Sequence, residues 1–396
     1  MIKFCFLIVF FISTKVAAQT EFFHSKINFS ENQLDNFYSS FSIDSTQVYF
    51  NANDYYVHAY DKKTGILNWS YYAANKSNNA PKSYQNFVFV EKHISEYENK
   101  CVQLNAKTGD TIQTLIIESI NTKPIFMEDV MYCTGIDAGI GGAVMAYDLK
   151  KNNVIWEKFI AHGVDRQPYY LKDKIIANAE DDNWFELDYN GKLLDTTYEY
   201  KANLFVENIK CVQNFVHLTH DNEGISQYFL QEYFGDYENL KVSSHNNHTF
   251  LLGSSKLMIL GDKLEIYKEI NVDLIITLPK TGNNDLREIL KIDGSTVWFF
   301  YKNVIIVYDY KKDKTIKTFD ITQWRAYEVI LENNNLWLIS RKDGQLVGLE
   351  LEPDLKTAAK IEAKAKMQSE INNCNKPDPK LIEATKKAQQ KLIKTK

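Results

Sequence analysis

Two histidine pairs have a spacing that a metal site could use. One pair is His217 and His220, and the other is His245 and His248, within the sequence HNNH. Residues three apart in a β-strand point to opposite faces of the sheet, so neither pair can share a metal ion unless it lies on a loop. Zinc also requires three or four ligands, and the sequence has no helical HExxH motif. The pattern favours ordinary loop histidines and leaves metal binding open.

Three consecutive carboxylates, Glu180, Asp181 and Asp182, form a second candidate for metal binding. Carboxylates grouped on a loop are suitable ligands for calcium. Here they lie between the apolar runs KIIAN and WFELD, where we expect a turn between two strands. A solvated turn is the preferred interpretation, with calcium binding as the alternative.

Residues 134–144 (TGIDAGIGGAV) have the glycines of a phosphate-binding loop. Such a loop needs its glycines to lead into the N-terminus of a helix. These glycines lead instead into AVMAYD, whose alternating apolar residues predict a strand. We therefore expect a long hairpin loop and no nucleotide site. The sequence also has no G-x-S-x-G motif, and no catalytic residue is assigned.

The composition of the chain points to β-structure rather than to an enzyme class. The 396 residues include 24 tyrosines and 23 phenylalanines, and aromatic side chains suit the half-buried surface of a sheet. The formal net charge is only −5, so the chain lacks the strong positive potential that nucleic-acid binding requires. We therefore predict an all-β chain that binds no nucleic acid.

One pattern returns along the chain at steps of about 40 to 44 residues. Its marker is an aromatic residue or leucine followed by aspartate, asparagine or glutamate. The clear copies are Tyr60-Asp61, Leu104-Asn105, Tyr147-Asp148, Leu187-Asp188, Tyr308-Asp309 and Leu349-Glu350. The gap between the fourth and fifth copies is about three steps long. We therefore expect two degenerate copies within it, near Tyr228-Phe229 and Ile266-Tyr267.

Each unit has the same order of apolar runs and turns. An apolar run such as VYF precedes a polar turn, and a second run then ends at the marker. A Lys-Lys-Thr-Gly or Asn-Gly type turn and a third run such as ILNW follow. Alternation at period two with frequent turns predicts strands and hairpins. Three or four strands in about 42 residues form the unit of a β-propeller blade.

We therefore predict a β-propeller of about eight four-stranded blades, with seven as the alternative, over residues 19–351. It would close where residues 22–30 pair with the last blade, which removes an exposed sheet edge. The repeat residues are expected to be structural, since aspartate starts the turn, glycine takes a positive φ and tryptophan fills the gap between blades. The residues given these roles are Tyr60, Asp61, Gly65, Trp69, Tyr147, Asp148, Trp156, Tyr308 and Asp309.

Two of the units resemble the repeat of propellers of the pyrroloquinoline-quinone type. They are AYDKKTGILNW at residues 59–69 and, more loosely, AYDLKKNNVIW at residues 146–156. The family includes quinoprotein alcohol dehydrogenases and a scaffolding lipoprotein of the outer-membrane assembly machinery. Members that bind the quinone have adjacent cysteines, a calcium held by glutamate and asparagine, and a catalytic aspartate. No residue here matches those positions, so we expect no cofactor.

The first 18 residues are typical of a signal peptide. A single early lysine precedes an apolar run from Phe4 to Ile12, and Val16-Ala17-Ala18 fits a cleavage site before Gln19. The run is too short to span a bilayer, although a permanent anchor is the alternative. We predict export to the periplasm or the extracellular space, with no integral membrane segment in the mature chain.

Residues 352–396 differ in composition from the propeller. From residue 353 they contain eleven lysines and five acidic residues, and their Ala-, Lys- and Glu-rich stretches predict a short α-helical tail. A basic tail on an acidic body could fold back on the propeller, dock a protein partner or an anionic membrane surface, or stay loosely ordered. These alternatives remain open.

Four cysteines follow the signal peptide, at Cys101, Cys133, Cys211 and Cys374, and none has metal-type C-x-x-C spacing. Three disulfide pairings are possible, but Cys101 and Cys133 lie in strand-like runs where buried free thiols are expected. Together with the family resemblance, these observations favour an exported non-enzymatic scaffold in the cell envelope that binds a protein or another ligand, and a protein partner is expected. The alternative is a quinone-dependent or metal-assisted enzyme with its site at the central channel.

Overall fold

The computed structural model describes residues 19–352, apart from residues 31–32, 35–37, 78, 96–97, 166, 180–183, 198–240, 247, 254, 262–265 and 277–285. Within these residues the chain is mostly β-structure and forms seven antiparallel sheets. Six of the described sheets have four strands and one has five. The sheets are the blades of a β-propeller.

The blades are numbered in the order in which the chain forms them. The first strand along the chain, β1 (Gln19–His24), belongs to the closing blade, which is described last. Blade 1 consists of β2 (Ser40–Ile43), β3 (Gln47–Asn51), β4 (Tyr56–Asp61) and β5 (Leu67–Tyr72), and blade 2 of β6 (Lys82–Tyr84), β7 (Phe87–Ser95), β8 (Glu98–Asn105) and β9 (Thr111–Thr114). Blade 3 consists of β10 (Ser119–Ile120), β11 (Ile125–Met127), β12 (Val130–Asp137), β13 (Gly141–Asp148) and β14 (Asn153–Phe159), and blade 4 of β15 (Tyr169–Tyr170), β16 (Ile175–Asn178), β17 (Trp184–Leu187) and β18 (Leu193–Thr197).

The remaining described strands are β19 (Lys241–His245), β20 (His248–Leu252), β21 (Lys256–Leu260) and β22 (Ile266–Asn271) in blade 5; β23 (Arg287–Asp293), β24 (Thr296–Tyr301), β25 (Val304–Asp309) and β26 (Lys314–Asp320) in blade 6; and β27 (Ala326–Glu332), β28 (Asn335–Ser340) and β29 (Leu346–Leu351) in the closing blade. Two short helices join blades: a 3-10 helix at Ala161–Asp165 and α1 at Val272–Ile275.

The central strands of blade 1 are buried on both sides because the closing blade covers one side and blade 2 covers the other. All five residues of β3 are buried. Val48 and Phe50 belong to the apolar cluster shared with the closing blade, whereas Tyr49 between them belongs to the cluster shared with blade 2. Successive side chains of a strand point to opposite faces. Alternate side chains of β3 therefore pack in two different interfaces, one with the closing blade and one with blade 2.

The first strand of each blade lies nearest the central axis. Contacts join β2 to β6, β19 to β23 and β23 to β27, so these first strands adjoin one another around the axis. Because neighbouring strands in each blade are antiparallel, successive turns lie on opposite faces of the ring, which we call the upper and the lower face. The upper face carries the turns between second and third strands and the links from one blade to the next. The lower face carries the other turns.

The closing blade joins the two ends of the propeller. Strand β1 pairs with β29 in antiparallel register, with Gln19 opposite Leu351 and Phe23 opposite Gly348. The sequence predicted this closure but assigned it to residues 22–30. The strand ends at His24 because the next residues turn onto Gln345, whose Oε1 accepts hydrogen bonds from Ser25 Oγ and Ile27 N at 2.7 and 3.0 Å.

The side chain of His24 links the closing strand β1 to the turn between β28 and β29. Its Nδ1 lies 3.1 Å from Glu21 Oε1, and its Nε2 lies 3.1 Å from Asp343 Oδ2. The hydrogen bonds to Asp343 and to Glu21 raise the pKa of His24 from 6.5 to about 9. Both partners favour the protonated ring, so the contact stabilises the folded state while His24 carries a proton.

We expect the stability of the closed ring to fall at alkaline pH. The contribution of His24 is complete below pH 6.5 and is lost as the pH rises through about 9. The Tm of the wild type should exceed that of His24→Gln in neutral buffer and approach it above pH 9. Thermal unfolding monitored by circular dichroism tests this, and a difference in Tm that does not change with pH would contradict it.

The repeat was placed one strand out of phase in blade 5. The sequence groups the run KLMIL at residues 256–260 with VYF, which lies in a second strand, but KLMIL is the third strand β21. Ile266-Tyr267 therefore lie on the outermost strand β22 rather than at the end of a third strand. Second and third strands are both buried on both sides, so an apolar run alone cannot tell them apart. The marker predicted near Tyr228-Phe229 lies outside the described residues.

Cys101 and Cys133 are buried free thiols in one apolar cluster between blades 2 and 3. Burial raises the pKa of both thiols, to about 12 for Cys133. Cys211, Cys374, residues 1–18 and the tail from residue 353 lie outside the described residues. Within the described part of the chain, no helix is long and apolar enough to cross a membrane.

Candidate functional site

The best-preserved repeat residues lie in one turn on the lower face of blade 1. Asp61 Oδ1 accepts hydrogen bonds from the backbone nitrogens of Lys63 and Thr64 at 3.0 and 2.7 Å, and from Thr64 Oγ1 at 2.7 Å. Gly65 follows with a φ of +70°. Tyr60, just before this turn, is buried against Phe23 of the closing strand, with ring centroids 5.0 Å apart.

The same turn is built in blades 3 and 6. Asp148 Oδ1 accepts from Lys150 N and Lys151 N, and Asp309 Oδ1 accepts from the two lysines that follow it, Lys311 and Lys312. The preceding tyrosines are buried, and their hydroxyls donate within their own turns, Tyr147 to Asn152 and Tyr308 to Asp313. These contacts hold the turns together, and Tyr147 Oη also accepts a hydrogen bond from Ile116 N after blade 2 at 3.1 Å.

Each repeat tryptophan packs on the next blade. Trp69 Nε1 donates to Ala106 O at 2.8 Å, and a Cβ added to Gly109 would lie 2.7 Å from the Trp69 ring. Trp156 makes the same contact with blade 4, because its Nε1 donates to Tyr189 O and its ring covers Gly191. In the closing blade Phe23 covers the turn glycine of blade 1, Gly65. The sequence did not identify Phe23 as the equivalent of the tryptophans.

The residues first considered for metal or phosphate chemistry are not gathered into a site. His245 and His248 face each other across the turn between β19 and β20, and each contacts Asn246. Residues 134–144 form the hairpin of β12 and β13, with a shorter loop than predicted because the glycines continue the strands. His217, His220 and residues 180–182 lie outside the described residues. No described group of three or more histidines, cysteines or carboxylates could hold a metal ion.

An exposed group of tyrosines lies on the upper face of blade 1. We call Tyr38, Tyr55, Tyr56 and Tyr72 the tyrosine patch, and their side chains are between 37 and 54% exposed. The rings of Tyr56 and Tyr72 are 5.0 Å apart. The backbone of Tyr38 is held at the same turn, because its N–H donates to Asn53 Oδ1.

The turn that carries the tyrosine patch is firmly held. Tyr55 O accepts hydrogen bonds from Ala73 N and Ala74 N, which fixes the end of β5 beside the turn. Tyr55 itself has a φ of +71°, a conformation that is costly for a bulky side chain and is found where the surroundings impose it. The sequence itself contains a sign of this patch. The turn NANDYYV has two adjacent tyrosines, although glycine adopts a positive φ at lower cost.

Several charged residues lie at the upper mouth of the channel. Lys82 begins β6, Glu328 lies near the start of β27, and Asp165 ends the 3-10 helix that precedes β15. Lys241 and Glu288, at the starts of β19 and β23, form an ion pair at 3.1 Å. First strands run away from the upper face, so residues at their starts lie at this mouth.

Burial shifts the pKa values of the two charged groups on the blade 1 side of the mouth. It lowers the pKa of the Lys82 ammonium to about 8, against the attraction of Glu328, Asp165 and Glu91. It raises the pKa of the Glu328 carboxyl to about 7, against a hydrogen bond from the Phe41 backbone and the attraction of Lys82. Both groups are therefore poorly compensated by the protein around them.

Neutral hydrogen-bond donors surround a third charged residue, Glu91, in the second strand of blade 2. Its Oε1 accepts from Asn75 Nδ2 at 2.9 Å and from Asn99 Nδ2 at 3.0 Å, and its Oε2 accepts from Ser77 Oγ at 3.4 Å. Burial raises the pKa of this carboxyl as well. The sequence did not identify this cluster, because its members lie on two strands and a link with no regular spacing between them.

Comparisons with known proteins assign no family to the chain. No family model matches the chain, and no curated protein sequence matches it. A structure described as BamB from Moraxella catarrhalis is 13% identical, with a TM-score of 0.40, over 78% of this chain and 81% of that chain. The computationally designed Ika8 protein is 11% identical, with a TM-score of 0.42, over 78% of this chain and 94% of that chain. Both similarities are low, and neither indicates what this chain binds.

Proposed function

We propose that this chain is an exported, non-enzymatic β-propeller that binds a protein partner as a scaffold in the cell envelope. The tyrosine patch is the observation that carries the proposal. Tyrosine gives a large, rigid contact with a polar tip, and it is enriched among the residues that dominate protein interfaces. Four exposed tyrosines gathered on one blade are an unusual surface for a protein that binds nothing.

The surroundings of the tyrosine patch define the chemistry of the partner. Lys76 Nζ lies 5.5 Å from the centre of the Tyr55 ring and donates to Gln33 O at 3.3 Å. Among the described residues, no carboxylate pairs with this ammonium. The partner that fits is a protein segment with apolar or aromatic side chains beside a carboxylate, which would cover the tyrosines and pair with Lys76.

The proposal includes the regions that flank the described propeller. Residues 1–18 act as a signal peptide, residues 19–351 form a ring of eight blades (alternatively seven), and residues 352–396 form a basic helical tail. The repeat spacing supports eight blades, since the sequence between blades 4 and 5 has room for another unit. Sequencing the N-terminus of protein recovered from the envelope tests export. A start at Gln19 is expected, and an intact Met1 would contradict cleavage.

We expect the double substitution Tyr56→Ser and Tyr72→Ser to weaken partner binding by about 30-fold or more, the size of effect typical of interface hot spots. A photo-crosslinking residue at Tyr38 would first identify the partner in intact cells. Calorimetry with the purified partner would then compare the variants. The reversal Lys76→Glu should weaken binding too if the partner supplies a carboxylate.

The matched control is Ile112→Ser with Ile155→Ser, which removes two equally exposed apolar side chains from the outermost strands of blades 2 and 3. This variant should bind normally. Equal loss of binding in both double variants, or none in either, would contradict docking at the tyrosine patch. A stoichiometric quinone or metal on the purified protein would contradict the non-enzymatic role. Deleting residues 353–396 shows whether the tail contributes to the same partner.

A further inference from the structure

A serine, a histidine and an aspartate are joined by hydrogen bonds in blade 1. His58 Nδ1 lies 2.8 Å from Ser70 Oγ, and His58 Nε2 lies 2.9 Å from Asp54 Oδ2. His58 lies on β4 directly opposite Ser70 on β5, and Asp54 lies in the turn before β4. The three side chains therefore contact one another in the order serine, histidine, aspartate, which is the order that activates serine nucleophiles.

The carboxylate of Asp54 decides which ring nitrogen of His58 carries the proton. An ionised carboxylate only accepts hydrogen bonds, so His58 Nε2 must donate to it as an N–H group. In the neutral ring Nδ1 is then unprotonated and accepts the hydrogen bond of the Ser70 hydroxyl. His58 is therefore placed to take the proton of Ser70 when the serine oxygen attacks, and Asp54 holds the ring in the required tautomer.

The base and its aspartate are held in place, whereas the serine is open to solvent. The side chains of His58 and Asp54 are only 9 and 17% exposed. Asp54 is fixed further, because its Oδ1 accepts a hydrogen bond from the backbone N–H of Tyr56 at 3.1 Å. Ser70 is exposed on β5, the outermost strand of the blade. A reagent can therefore reach the serine oxygen directly from solvent.

Two members of the tyrosine patch lie beside the serine. Tyr56 lies opposite Tyr72 just as His58 lies opposite Ser70, and the two pairs are two residues apart, so all four side chains share one face of the sheet. The Tyr56 ring stacks on the His58 ring with centroids 6.0 Å apart, and it lies 5.0 Å from the Tyr72 ring. Aromatic rings pack well against one another, so this surface favours a reagent with an aryl group.

We propose that Ser70 is a nucleophile that accepts an acyl group from an aryl ester. The serine oxygen forms a bond to the ester carbonyl carbon, while the hydroxyl proton passes to His58 Nδ1. The bond between that carbon and the aryl oxygen then breaks, and the proton passes from His58 to the departing phenolate. The products are an acyl-serine and a phenol.

The acyl group is expected to remain on the serine. An acyl-serine is an alkyl ester, and its leaving alkoxide is far more basic than a phenolate, so hydrolysis is much slower than the first transfer. One acyl group is therefore transferred per chain. Ser70 is a modification site on the proposed scaffold rather than the centre of a turnover enzyme.

Acylation of the purified protein tests this site without any partner, so its outcome is independent of the proposed docking at the tyrosine patch. The probe is p-nitrophenyl acetate. Release of p-nitrophenol should end after one equivalent per chain, and peptide mapping by mass spectrometry should find the acetyl group on Ser70. Ser95, exposed at the end of β7, is the internal control and should stay unmodified. No acetyl group on Ser70, or equal acetylation of Ser95, would overturn the proposal.

Variants test the role of the histidine. His58→Ala should slow acetylation of Ser70 by about 100-fold or more, the size of effect typical of a general base. Free imidazole should restore part of the rate, because it can replace the missing base, whereas it cannot repair a purely structural loss. Ser70→Ala should abolish the stoichiometric release of p-nitrophenol. An unchanged rate in His58→Ala, or a slow rate that imidazole does not restore, would overturn the assigned role.

The proton position on the unmutated protein gives a further test if a variant fails to fold. Nitrogen-15 NMR of protein labelled at its histidines distinguishes protonated from unprotonated ring nitrogens. Neutral His58 should have an unprotonated Nδ1 and a protonated Nε2. Asp54→Asn should weaken this preference, because an amide can donate as well as accept. A protonated Nδ1 in the neutral ring of the unmutated protein would overturn the proposal, since that nitrogen could not take the serine proton.

Discussion

Replacing Gly109 with alanine is expected to destabilise the protein much more than the same change at Gly294. Both glycines have a positive φ, +76° and +59°. Placing alanine in this left-handed region should therefore lower the free energy of unfolding by about 1 kcal/mol in both variants. A Cβ at Gly109 would also lie 2.7 Å from the Trp69 ring, whereas nothing lies within 4 Å of a Cβ at Gly294. The clash should add about 1–3 kcal/mol, as overpacking does in other protein cores.

Urea denaturation of the two variants measures this difference directly. The control shares the substitution and the backbone conformation, so only the contact with the tryptophan separates the two proteins. The double variant Gly109→Ala with Trp69→Phe should recover part of the loss, which a double-mutant cycle would detect as a coupling energy. Equal losses of unfolding free energy in the two variants would mean that Trp69 does not pack against the turn of blade 2.

Removing the Phe23 ring is expected to open the propeller at its closing blade. Phe23 is buried, and its ring centroid lies 5.0 Å from that of Tyr60 in blade 1 and 5.4 Å from that of Trp337 in the closing blade. Truncating a buried phenylalanine costs about 3–5 kcal/mol. Because this ring joins residues from both ends of the propeller, its loss should also free β1 from β29 and expose an unpaired edge.

The control for Phe23→Ala is Phe159→Ala, which removes the same ring from an exposed position at the end of β14. This control should cost less than about 1 kcal/mol, as most surface substitutions do. Light scattering after size-exclusion chromatography should show self-association in Phe23→Ala and not in Phe159→Ala. Similar stability and similar mass for the two variants would contradict the role of Phe23 in closure.

The tyrosine patch and the charged residues of the channel mouth differ in how readily a sequence could reveal them. The tyrosine patch is largely local, since three of its members come from one pair of hairpins and two of them are adjacent in the chain. The charged mouth is not local, because Lys82 and Glu328 are about 250 residues apart in the sequence. No sequence spacing predicts that these two residues lie at the same mouth, because only the closed ring brings the two strands there. That cluster therefore needed the tertiary structure.

The repeat was readable because each blade makes the same local demands on its residues. Strands alternate between two interfaces, and the aspartate turn needs a glycine at positive φ, so these residues recur in phase. The phase was lost in blade 5, where KLMIL suits a second or a third strand equally well. The closing strand begins three residues and ends six residues earlier than predicted, since only contacts with Gln345 decide where β1 ends.

The sequence by itself therefore determined the architecture, an all-β propeller of repeated hairpins, because strand periodicity and turn chemistry act over a few residues. The tertiary structure decided which surfaces are distinctive. It assigned Phe23 to the position that tryptophans occupy elsewhere, placed four tyrosines on the upper face of blade 1, and brought Lys82 and Glu328 to the same mouth of the channel. Those arrangements depend on contacts between distant segments, and such contacts exist only in the folded ring.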